Sequence, residues 1–205
     1  MGIEPKLEIT KDGYAFMRDG KKVFVSFPKI KGEPGKPDVS RPAKGWLVLQ
    51  VAGVPLYLHW SVLLALPVAA AAVKNAAAAL VGALAYIALL LTHELGHAFM
   101  ARRKNINVRW IFLSLVHGQC AFVLPKNRSD QIGIAWGGVC AQALLAALTF
   151  CVAGYAAKVL PTAVEPIFFV FGPLNVIIAV ANLLPLPRCD GAVAWGIRGY
   201  APLAK

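Results

Sequence analysis

Charge is scarce in this chain. Asp, Glu, Lys and Arg make up 15% of its 205 residues, against roughly 25% in soluble domains. With 58% hydrophobic residues, that shortfall argues against an ordinary soluble domain and points to the membrane. Acidic residues are the scarcer sign, 10 against 21 Lys and Arg. The basic excess lies in polar stretches flanking apolar runs, where it sets membrane orientation. No aromatics interleave with it as base stacking requires, so nucleic acid is not an expected partner. The four cysteines (Cys120, Cys140, Cys151, Cys189) lack C-x-x-C spacing and sit in or beside apolar segments. They read as small buried hydrophobes, not as a disulfide framework. The opening MGIEPKLEITKDGY lacks the apolar core of a cleavable signal peptide.

What is abundant is long apolar sequence. Four runs, 54–73, 76–101, 132–160 and 167–186, are each near or above the ~20 residues a helix needs to cross the hydrocarbon core. Gly137, Gly138 and Gly154 suggest a bend in the third. Arg102, Arg103, Lys104 and Arg109 follow the second run, while the opposite connections offer little charge. The positive-inside rule then puts both termini in the cytoplasm. The expected protein is a multi-pass, all-α membrane protein with about four transmembrane helices, in the cytoplasmic membrane if prokaryotic. Residues 1–45 form a cytosolic arm and 46–205 the membrane core.

Within the arm, Asp12-Gly13 and Asp19-Gly20 signal a hairpin or meander, and the Lys-, Pro- and Gly-rich residues 29–44 read as a linker. Residues 106–124 are too short and interrupted for a further span. Their Val and Phe content around His117-Gly118 suggests two short strands or a re-entrant loop, tolerated at membrane depth only where protein covers it. Ser129 or Asp130 is the expected cap of the third helix.

The chemistry is concentrated in His93-Glu94-Leu95-Gly96-His97, at the end of the second run. Histidines at i and i+4 lie on one helix face and can reach one metal ion. Glu94 points about 100° away. This is the H-E-x-x-H arrangement of two zinc ligands and a general base. Ionisable residues at membrane depth are costly and mark function by default. A catalytic zinc site usually takes three protein ligands and leaves one position open. Asp190 is the candidate third ligand, because Pro185 and Pro187 stop the fourth helix at the depth of His97 and Asp190-Gly191 follows the turn.

The H-E-x-x-H at 93–97, the N-x-x-P-x-P-x-x-D-G at 182–191 and the entry Val54-Pro55-Leu56-Tyr57-Leu58-His59-Trp60 together resemble the site-2 protease family of intramembrane zinc metalloproteases. The resemblance covers about residues 46–195. It implies one Zn2+ per chain on His93, His97 and Asp190, with Glu94 as base and Asn182 polarising the scissile carbonyl. It also implies a membrane-protein substrate with a transmembrane helix, cleaved within the lipid bilayer, and leaves any regulatory partner unnamed. His59 reads either as a histidine bonded across helices or as an active-site neighbour, and His117 as a turn histidine or a substrate contact. Gln142 and Asn175 read as interhelical hydrogen-bonding residues. A catalytically inactive scaffold that binds transmembrane helices is the alternative, disfavoured by the presence of Glu94.

Overall fold

The computed structural model describes residues 8–10, 13–18, 21–26, 42, 45–125, 127–186 and 189–196. The expected linker at 29–44, apart from residue 42, and Pro187 lie outside them. The chain divides into two units, Met1–Ser40 and Arg41–Lys205. The first contains an antiparallel meander of β1 (Glu8–Thr10), β2 (Gly13–Arg18) and β3 (Lys21–Ser26). Pairing of Thr10 with Gly13 and of Arg18 with Lys21 leaves two residues between successive strands.

The second unit opens with β4 (Trp46–Val51) and β5 (Val54–Leu58). These form a hairpin across Ala52 and Gly53, whose φ angles are +48° and +77°. Positive φ at both central residues is the geometry whose twist matches flanking strands. A 3-10 turn (Trp60–Leu64) and α1 (Ala65–Ala72) follow, then α2 (Ala76–Arg103), β6 (Val108–Leu113), β7 (Gly118–Phe122) and α3 (Arg128–Val159). The sheet order is β4-β5-β6-β7. β5 and β6 pair in parallel, Leu56 opposite Ile111, which demands a crossover; α1 and α2 supply it. Val54, Leu56, Ile111 and Leu113 are buried with Leu90, Ala98 and Ala101 of α2 and Ile134 of α3.

Three helices among the described residues are long and apolar enough to cross a membrane: Ala76–Arg103, Arg128–Tyr155 and Thr162–Asn182. The expected first span is different. Residues 54–58 are strand, and only the shorter apolar helix Trp60–Ala72 follows. An unbroken apolar run reads alike as buried strand or helix, and here pairing with β4 and β6 decides for strand. The all-α expectation is corrected accordingly to a helical protein with a four-stranded sheet.

The expected bend also moves. α3 runs continuously through Gly137 and Gly138. The distortion lies in Thr162–Asn182, where α4 (Glu165–Phe169) passes through a π turn (Val170–Leu174) into α5 (Asn175–Asn182). Pro173 sits in that turn; it has no N–H to donate and its ring crowds the preceding turn, which the wider π geometry accommodates. Since α3 begins at Arg128, Ser129 and Asp130 lie inside its first turn and do not precede it as a cap. Asp130 Oδ1 accepts from Lys104 Nζ at 2.7 Å, joining the start of α3 to the end of α2.

Candidate metal centre

α2 and α3 meet backbone to backbone. A β-carbon on Gly96 would overlap the Gly137 carbonyl, and one on Gly137 would fall 2.8 Å from Met100 Cγ. Small residues permit such approaches between membrane helices. One residue on, Gly138 leaves room for two rings: a β-carbon there would lie 2.6 Å from both His93 Cε1 and His97 Nε2. Both histidines are buried, and so is Glu94, at 4% exposure.

Each imidazole is fixed from behind. His97 Nδ1 lies 2.7 Å from the Ile134 carbonyl. A carbonyl only accepts, so Nδ1 carries the proton and Nε2 the lone pair. His93 Nδ1 lies 2.8 Å from Gln142 Oε1, giving the same assignment. The two Nε2 atoms point at each other across 3.1 Å. Asp190 Oδ2 completes the triangle, 2.9 Å from His93 Nε2 and 3.2 Å from His97 Nε2.

Three atoms able to offer an electron pair, one of them a carboxylate oxygen, thus converge. A cation satisfies that arrangement. Ligand bonds of ~2.0 to ~2.1 Å in a tetrahedron set donor atoms ~3.3 Å apart, close to the observed separations. These three residues are a possible metal-binding group, with donor atoms all within 4.8 Å of one another. The histidine and carboxylate donors, each imidazole anchored by an outer partner, suit zinc.

Asp190 reaches the site on a folded turn. After α5 the chain reverses, and α6 (Gly191–Ala194) begins directly after the aspartate. Trp195 Nε1 donates to Leu183 O at 2.6 Å and Trp136 Nε1 of α3 to Ala194 O at 3.1 Å. The two indoles meet edge to face at 5.3 Å.

Glu94 lies against Gly118, where any β-carbon would collide with its carboxylate. Burial, then the Glu94 charge, pushes the neighbouring Cys120 thiol up, which keeps it neutral. Asn182 ends α5, half-buried, eight positions before Asp190. His59 is not in a span. It follows β5 and accepts from Ser61 N at 3.3 Å as the cap of the 3-10 turn, with Ser61 Oγ 2.8 Å from its Nδ1. His117 sits in the β6–β7 connection with its Nδ1 3.1 Å from Ser114 Oγ. Gly138, the Ile134 carbonyl and the Trp136–Trp195 pair carry site roles that the sequence pattern did not assign. A Gly-Gly pair inside an apolar run was the one available signal.

Fold and site together define a membrane protein with three helices long and apolar enough to cross a bilayer and a possible metal-binding group beside them. The same fold occurs in a Site-2 Protease from Methanocaldococcus jannaschii, with a TM-score of 0.60 and 20% sequence identity. The match covers 74% of this chain and 69% of that one. The fold of this chain is therefore that of a site-2 protease. No family model matches the sequence, and no curated protein matches it.

Proposed function

We propose that this protein is an intramembrane zinc metalloprotease of the site-2 protease family, hydrolysing peptide bonds within or near transmembrane helices of membrane-protein substrates. The observation that carries the reading is the convergence of His93, His97 and Asp190 donors beside a buried Glu94. Bound zinc supplies Lewis acidity that polarises a carbonyl and brings the pKa of water toward neutrality. Hydrolysis adds water across the C–N bond, so one proton leaves the water and one reaches the departing amine. Glu94 is the residue that takes and delivers it. Asn182 donates to the developing oxyanion, an interaction worth ~2.7 to ~4 kcal/mol in comparable sites.

A helical peptide bond is shielded by its own hydrogen bonds, so the substrate must unwind. β7 supports that step: it is an edge strand of the sheet, and Gly118 at its start abuts Glu94. An unwound stretch pairing with this edge by β-strand addition would be held beside the base.

The test is zinc content per chain in detergent-purified wild type, Asp190→Ala and Glu94→Gln, followed by cleavage of single-span test substrates in vesicles. The expected result is near-stoichiometric zinc in wild type and Glu94→Gln, little in Asp190→Ala, and cleavage by wild type alone. Folded wild type that takes up no zinc when supplied would overturn the reading.

A further inference from the structure

We propose that Asn175 is a positioning residue that keeps the two halves of the metal-ligand set in register. The inference rests on the reading that His93, His97 and Asp190 bind zinc. Asn175 is fully buried at the start of α5. Its Nδ2 donates to the Gln142 carbonyl of α3 at 2.8 Å and to the Phe171 carbonyl, within the π turn, at 3.1 Å. Gln142 is the residue whose side chain holds His93, and it too is buried, at 1% exposure. A polar path thus runs from the helix that leads to Asp190, across α3, to the first histidine on α2. It ties the π turn and the ligand-bearing helices at one point.

Stability does not explain the amide. Asn175 Oδ1 is buried with no hydrogen-bond partner among the described residues. Leucine fills similar volume without burying an unpaired oxygen, which offsets the two hydrogen bonds it removes from main-chain carbonyls. What leucine cannot do is donate to Gln142 and Phe171 together, and those two bonds are what Asn175 adds.

The experiment compares full-length wild type, Asn175→Leu, Gln142→Leu and the double variant. Zinc Kd is read by chelator competition, ligand geometry from the visible spectrum of the Co2+-substituted proteins, and folding from thermal unfolding of the metal-free forms. Asn175→Leu should unfold near the wild-type temperature, yet bind zinc ~10-fold to ~100-fold more weakly, with shifted Co2+ bands. The double variant should lose less than the product of the single losses, as residues on one path do. Should the leucine variant not fold, Asn175→Ala is read in the same way. Wild-type Kd and Co2+ spectrum in a folded Asn175 variant would overturn the inference, and multiplicative losses would overturn the route through Gln142. Wild type that binds no zinc would instead overturn the metal-site reading on which it rests.

Discussion

Gly138 of α3 faces His93 of α2 so closely that a β-carbon on it would lie 2.6 Å from the ring's Cε1. The space for both imidazoles exists because α3 has no side chain at that point. Gly138→Ala should therefore displace the rings, costing ~1 to ~3 kcal/mol by overpacking and weakening zinc binding by an order of magnitude or more. Gly154 provides the control. A β-carbon there meets nothing within 4 Å, so Gly154→Ala should leave zinc content intact and gain ~0.5 to ~1 kcal/mol of helix stability. Thermal unfolding and zinc content of the two variants check both statements; equal zinc binding in both would remove the steric argument.

The β4–β5 hairpin, which places Val54 and Leu56 under α2, has its own test. Ala52 holds φ +48° and Gly53 φ +77°, and an alanine in the left-handed region costs ~1 kcal/mol or more. Asn tolerates that conformation and favours this turn. Ala52→Asn should raise stability by ~0.5 to ~1 kcal/mol and Gly53→Ala should lower it by a similar amount, both read as shifts in detergent unfolding. The Arg102 guanidinium donates to the Ala52 carbonyl at 2.7 Å, a main-chain bond that neither substitution removes. Unchanged stability in both variants would mean that the turn is not held in this conformation.

How much of this was legible in the sequence follows from what each signal measures. H-E-x-x-H fixes its own geometry, because i, i+4 spacing on a helix leaves two histidines one face to share. The approach of Asp190 to the histidines was legible through Pro185 and the Asp-Gly that follows, which together favour a helix end and a turn. The hairpin at 108–122 was legible as interrupted Val- and Phe-rich sequence. β4 and β5 were not, because Trp46–Leu58 is apolar on alternate and intervening positions alike and carries no period. Its one local cue, a two-residue Ala-Gly turn, is weaker than Asn-Gly. The bend expected at Gly137, Gly138 and Gly154 does not occur in α3; the first two glycines serve close approach to Gly96 and to the histidine rings. Glycine permits a bend without requiring one, whereas Pro173 removes a donor and requires an adjustment. Gln142 and Asn175 were readable as polar residues in apolar helices, but their partners lie 49 and 33 positions away, beyond any local pattern.

The turn that delivers Asp190 rests on two indoles, and this leads to a separable prediction. Trp195 Nε1 donates to the Leu183 carbonyl and so closes the loop containing the aspartate. Gly191 is pressed against the Leu183 and Leu184 carbonyls from inside. Trp195→Phe keeps an aromatic ring beside Trp136 but deletes the donor. Its stability cost should be that of one hydrogen bond, ~0.5 to ~1.5 kcal/mol. Zinc affinity should fall more than this, by ~100-fold or about 2.7 kcal/mol, because Asp190 loses its fixed approach while His93 and His97 keep their anchors. Zinc Kd measured beside unfolding temperature separates these effects: a Kd change no larger than the stability change predicts would mean that the loop holds its shape without the indole. The two-histidine remnant left by Asp190→Ala sets the lower limit of affinity, and Trp195→Phe should fall between that limit and wild type.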